Sequence, residues 1–266
     1  MDTFKRYINL YKQYLRMAVK VVFLFRVNSF GLVMATTLWS FLNISTIVLT
    51  TRQITTVFGY TADELVAIGA VQVIFLGIFH MLFSKNIDNL PEIINKGKLD
   101  MMLLRPVDDQ FSVSLTCVRP IAFIRVMIGI VMLAYLVAVG RLVAPTSGGA
   151  LLFGILLMAS EVLIYSVWYI VATSLIWFPT MSNIVELLYM VNVTSRYPYD
   201  FFREIAWWVA LLTFPFSIAL VVPLHALMGK GNLGEYVTLI IASALFFTVA
   251  RVFWRYSLRH YTSASN

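Results

Sequence analysis

Apolar residues in this chain fall in continuous runs rather than in alternation. Six runs, at about residues 27–50, 65–83, 120–139, 150–177, 182–195 and 237–254, are separated by polar breaks. A helix crosses roughly 30 Å of hydrocarbon in about 20 residues, so the runs read as transmembrane helices. A membrane β-barrel would need ~10-residue segments of alternating polarity instead. The pattern predicts an all-α polytopic membrane protein, folded as one transmembrane domain over residues 1–266.

Residues 1–26, ahead of the first run, carry a helical period. At about 100° per residue, Lys5, Arg6, Asn9, Lys12, Gln13, Arg16 and Lys20 share one arc of roughly 120°. Phe4, Tyr7, Ile8, Leu10, Tyr11, Tyr14, Leu15, Met17 and Val19 fill the rest. A narrow basic face and a wide, tyrosine-rich apolar face predict a helix lying in the membrane interface. The competing reading, the start of a very long first span, would send six basic residues toward hydrocarbon at high cost. The charges run through the segment and no small-residue cleavage site follows, which separates it from a cleavable signal peptide.

Short turns at residues 51–64 and 141–149 separate some runs. Two longer breaks carry more information. Residues 85–119 form a polar island. Residues 197–229 lead from Arg203-Glu204-Ile205 into an apolar run with Pro215 near its middle. As a full crossing, that run makes seven and puts the basic C-terminus opposite the N-terminus. A hairpin entering and leaving on one side keeps the parity even. Proline removes a backbone donor, and Pro215 divides the run into pieces short of a span. The expectation is a re-entrant extracytoplasmic hairpin over 197–229, with its freed backbone groups covered by the bundle.

Composition sharpens the class. Of 266 residues, 60% are hydrophobic and 12% charged, with a mean hydropathy of +0.84. Soluble domains carry roughly 25% charge. The net charge of +7 suggests nucleic acid until its placement is considered. Six basic residues precede the first run, five lie in the island (Lys85, Lys96, Lys98, Arg105, Arg119) and three near the C-terminus (Arg251, Arg255, Arg259). This bias places both termini and the island in the cytoplasm and gives the basicity to anionic lipid, not nucleic acid. The single Cys117 has no intramolecular partner, and His80, His225 and His260 show no metal spacing. No P-loop occurs; Gly229-Lys230-Gly231-Asn232-Leu233-Gly234 matches a dinucleotide fingerprint but follows no strand.

Candidate chemistry lies in two places. In the island, Pro91 to Gly97 reads as a short helix with Pro in its first turn and Gly past its end. Leu99, Met101, Met102, Leu103 and Leu104 then form an apolar patch too short to span, and Arg105-Pro106 ends it. Asp108 or Asp109 is placed to cap the helix entering the third run. An apolar patch rimmed by charge marks an interface; the plainer reading is a loop tucked against its own bundle. In the membrane, Glu161 and Glu186 are the carboxylates nearest mid-depth, where an ionised group costs about 2.5 kcal/mol or more. Each reads either as part of a substrate or proton path or as a hydrogen-bonded packing residue. Arg125, near the end of the third run, reads as snorkelling.

The stretch KGKLDMMLLRPVDDQ, residues 96–110, resembles the G-x-L-D-x-x-L-L-R-P signature of bacterial ABC-2 type permeases. Ser195-Arg196-Tyr197-Pro198, Pro215, Pro223 and residues 254–261 resemble that family's second half. The resemblance implies a permease subunit of an ABC transporter, usually an exporter, in the bacterial inner membrane. Its expected parts are an N-terminal amphipathic elbow helix, six transmembrane helices, a coupling helix in the island and a re-entrant hairpin before the sixth span, with Pro215 beside the substrate pathway. A separate ABC ATPase subunit would hold ATP and Mg, leaving this chain without a cofactor, and a second permease subunit, identical or paralogous, would complete the pair. The coupling contact maps to Ile93, Gly97, Leu99, Asp100, Leu103, Leu104, Arg105 and Pro106. A hydrophobic or amphipathic cargo is expected. Alternatives are an ion-coupled secondary transporter using Glu161 and Glu186, or a non-transporting membrane scaffold.

Overall fold

The computed structural model describes residues 2–51, 56–57, 59–178, 183–194 and 207–261. Helix α1 (Asp2–Leu24) and helix α2 (Arg26–Thr51) meet at Phe25. Backbone bonds continue through the junction, from Phe25 to Val21 and from Ser29 to Phe25. On α1, Tyr7, Tyr11, Tyr14, Ala18 and Val22 form a half-buried stripe at helical spacing. Met17, Val21 and Phe23 stay exposed. Arg6 and Tyr7 reach the island near Pro106 and Asp108. The stripe therefore lies along the island end of the bundle.

A two-residue hairpin (β1, Thr56–Val57; β2, Tyr60–Thr61) follows and leads into helix α3 (Ala62–Phe79). Thr61 and Glu64 close a capping box at its start. α3 has no polar face because it is the central column: Ala67, Ile68, Ala70 and Val71 are fully buried. A π-helical turn, His80–Ser84, carries the chain into α4 (Lys85–Asp88) and α5 (Leu90–Asn95), with α6 (Leu99–Leu103) and α7 (Asp109–Ser114) completing the island. Helix α8 (Phe123–Ala138) returns against α3, with Gly129 facing Ala70 and Ile74, and Gly77 facing Val126. Small residues at such a crossing let the backbones approach closely.

Helix α9 (Ser147–Thr173) starts on a Thr146 cap and packs against α11 (Trp207–Met228) and α12 (Leu233–Leu258). Gly149 lies beside the carbonyls of Ala226 and Leu227, so α9 and α11 run antiparallel. The end opposite the island is held by polar pairs: Lys230 with Glu64, His225 Nδ1 with Glu235 Oε2 at 2.9 Å, and Arg141 with Asp63 at 3.2 Å. Among the described residues, five helical segments have the length and composition to cross a membrane, with a shorter apolar helix beside them. The class is the expected one: all-α and polytopic.

Two expectations need correction. The run at residues 182–195 is described over α10 (Ile184–Thr194). Its Tyr189 OH donates to Asp88 Oδ1 on α4 at 2.9 Å, which puts this helix beside the island rather than across the bundle. Nor does Pro215 divide the later run. α11 continues through Pro215 and Pro223 for 22 residues, about 33 Å. Phe216, Ala219 and Leu220 beyond Pro215 are almost fully buried, and this packing offsets the lost donor. The crossing assigned to residues 182–195 thus fits α11 better. The first part of the expected 197–229 hairpin, residues 197–206, lies outside the described residues; beyond it, residues 207–228 form one helix through Pro215, where the break between two arms was expected.

Candidate coupling site

The island is built from local signals. Pro91 sits in the first turn of α5, where its missing N–H costs nothing. Gly97 takes φ of 65°, with Lys98 N bonding back to Ile93 O at 3.0 Å, so the left-handed residue after the helix is the glycine. α6 follows at once. Asp108 caps α7, its carboxylate accepting from Phe111 N at 3.0 Å. The capped helix is not the one entering the membrane, however: α7 stops at Ser114, and α8 begins only after a turn at Pro120–Ala122.

The apolar patch divides between inside and outside. Leu99 is fully buried, and Met102, Leu103 and Ile93 pack partly against the core. Asp100 and Gly97 are half-buried. Leu104 is 84% exposed and Met101 67%, with Arg105 and Pro106 exposed beside them. Leu99 therefore anchors α6, and the surface that faces outward is Met101 with Leu104, Arg105 and Pro106.

Behind this tip lies a polar network. Arg251 on α12 grips Asp108 with both guanidinium nitrogens and donates to Gln110 Oε1 at 3.1 Å. Gln110 Nε2 donates to Tyr165 OH on α9 at 3.0 Å, and Ser114 Oγ lies 2.7 Å from the same hydroxyl. From the other side, Tyr7 OH accepts from Asp108 N at 2.9 Å, and Arg6 donates to Pro106 O at 2.9 Å. The Tyr7 ring meets Phe111 edge-on at 4.8 Å. One short helix is thus fastened to α1, α9 and α12. Burial alone would raise the Asp108 carboxyl, but Arg251 and the N–H groups of α7 hold it below its ordinary range. Asp109 moves the other way, raised by burial and by the Asp108 charge beside it.

The proposed pathway residues are not assembled into one site. Glu161 on α9 is 2% exposed, and neither carboxylate oxygen has a hydrogen-bond partner among the described residues. Glu186 on α10 is exposed, and Pro215 is half-buried within α11. Sequence reasoning missed Tyr7, Gln110, Ser114 and Tyr165, and took Arg251 only as a topology signal. Their partners lie 51 to 143 residues away, and no local spacing reveals such pairs.

Comparison with curated proteins gives no match. The ABC-2 family transporter protein model matches residues 34–265, from the first third of α2 to beyond α12. With six apolar helical segments among the described residues, and most of its length under that match, the chain belongs to the ABC-2 transporter protein family.

Proposed function

We propose that this chain is the permease subunit of an ABC exporter, driven by a separate ATPase that docks on the tip of α6. The observation carrying this reading is the arrangement just behind that tip. An exposed Met101–Leu104 surface sits on a segment wired through Asp108, Gln110 and Arg251 to α9 and α12. Force applied at the tip reaches two membrane helices through hydrogen-bonded contacts rather than through loose loop. Apolar anchors filling a groove on a partner supply most of the energy in such contacts, with Arg105 and Pro106 at the rim. The double substitution Met101→Glu, Leu104→Glu should cut ATPase co-purification at least tenfold while the chain inserts and folds normally. Undiminished co-purification with normal transport would remove the docking assignment.

The ATPase reads the cytoplasmic side, so the island, α1 and the C-terminus face inward, in a bacterial inner membrane and beside a second permease chain. Basic residues concentrate at that end in support. In a Cys117→Ser background, a cysteine at Lys12 should react with a membrane-impermeant thiol reagent only from the cytoplasmic face. A cysteine at Gly148, at the exposed start of α9, should react only from outside. Labelling of both from one face would overturn the topology. A hydrophobic or amphipathic cargo suits a helix surface this apolar. The ion-coupled alternative needs two cooperating carboxylates, whereas Glu161 is buried and Glu186 exposed.

A further inference from the structure

A cavity of about 780 Å³ opens where α1 and α2 meet the turn before α8. Ligand cavities fall in this size range, roughly 300–1,000 Å³. Its two sides differ chemically. Ala18, Val22, Phe25 and Leu32 form an apolar wall on α1 and α2. Lys85, Arg105, Arg119 and Arg125 lie on the other side, and no carboxylate lines it among the described residues. None of these four cations has an ion-pair or hydrogen-bond partner for its side chain among the described residues. Asp88, one turn from Lys85, accepts from Tyr189 OH at 2.9 Å; it lies outside the cavity lining, and its charge offsets only part of that of Lys85 and Arg119.

The basic wall is held in place. Asn86, 2% exposed, takes both backbone groups of Cys117: its Nδ2 donates to the carbonyl and its Oδ1 accepts the N–H, each at 2.8 Å. Thr116 Oγ1 donates to the same oxygen at 3.2 Å, and Arg119 N bonds to Met81 O at 2.9 Å. The strand of chain carrying Arg119 is therefore stapled to the π-turn and α4. Gathered like charges repel one another, so their convergence beside an apolar wall calls for an anion with an apolar tail. Phe25 and Leu32 are 57% and 48% exposed, so the apolar wall continues onto the outer surface of the bundle.

We propose that this cavity binds an anionic phospholipid of the surrounding bilayer, its phosphate among Lys85, Arg105, Arg119 and Arg125 and an acyl chain along Ala18, Val22, Phe25 and Leu32. The lipid would bridge α1, the island and α8 at the interface. Native mass spectrometry of the full-length chain, incubated with phosphatidylglycerol or with phosphatidylcholine of matched chains, tests it. Phosphatidylglycerol should be retained at least tenfold better, and excess inorganic phosphate should not displace it. Lys85→Gln with Arg119→Gln should weaken the complex about thirtyfold, as expected for two cations at an anionic surface. Ala18→Trp, which keeps all four cations and fills the apolar side, should lose the lipid as well, and it decides the matter if the double variant does not fold. Equal retention of both lipids, displacement by phosphate alone, or full binding by Ala18→Trp would overturn the proposal.

Discussion

Replacing Asp108 by Ala is expected to lower the thermal stability of the chain by about 2 kcal/mol and to uncouple ATP hydrolysis from transport. The carboxylate does two jobs. It caps α7 through Phe111 N, and losing such a cap costs about 1 kcal/mol. It also receives both guanidinium nitrogens of Arg251, whose side chain is only 26% exposed. Partial exposure keeps that ion pair well below the value of a buried one. Asp108→Asn keeps a capping oxygen and loses the charge, so it should fall between wild type and Asp108→Ala. Because the folded-state pKa of Asp108 is depressed, its contribution is fully present above the unfolded value of about 3.9 and fades as pH falls through the lower folded value. The gap in melting temperature between wild type and Asp108→Asn should therefore be constant from about pH 8 to 5 and close only in acid. Asp109 is raised, so its ionised form burdens the folded state at neutral pH, and that burden lifts as pH falls. Asp109→Asn should be neutral or mildly stabilising at pH 7. Identical losses for the two neighbouring Asn variants would sink this account.

The second large effect is expected at the crossing of α3 and α8. A Cβ added at Gly129 would stand 2.5 Å from Ile74 Cγ1 and 2.7 Å from the backbone oxygen of Ala70. A side chain can turn aside, but a carbonyl inside the most buried helix cannot. Overpacking of this kind costs about 1–3 kcal/mol, against a gain of about 1 kcal/mol in helix propensity when glycine is replaced. Gly129→Ala should thus be destabilising on balance. Gly129→Val, with two more methyl groups against the same backbone, should prevent folding or lower the melting temperature by more than 10 °C, a shift of about 3 kcal/mol for a chain of this size. Gly31 and Gly154 provide the control, since nothing lies within 4 Å of a Cβ at either. Alanine at those positions should be neutral or slightly stabilising. Melting curves of the four variants in one detergent would decide, and a harmless Gly129→Val would mean that the helices do not pack this closely.

Family membership and class were legible in the sequence because both rest on short-range or summed properties. Apolar runs long enough to cross hydrocarbon and an amphipathic stripe in the first 24 residues are read from neighbours a few positions apart. The same holds for Pro91 opening α5, Gly97 closing it and Asp108 as a cap. Each depends on backbone groups within about four residues. Charge placement is likewise a count along the chain.

Tertiary structure decided the rest. Leu99, Met101 and Leu104 look alike in sequence, yet only packing against the core buries the first and leaves the others outward. Pro215 carries the same local penalty wherever it stands; burial of Phe216, Ala219 and Leu220 kept α11 whole and shifted a crossing from residues 182–195 to 207–228. Glu161 and Glu186 are the same side chain in two apolar runs, yet they end in opposite surroundings: one is buried with no hydrogen-bond partner among the described residues, and the other is exposed. The links from Asp108 to Tyr7 and Arg251 join residues 101 and 143 positions apart. Local composition sets what a segment can become, whereas burial and pairing are fixed only when distant helices meet and their polar groups must find partners away from water.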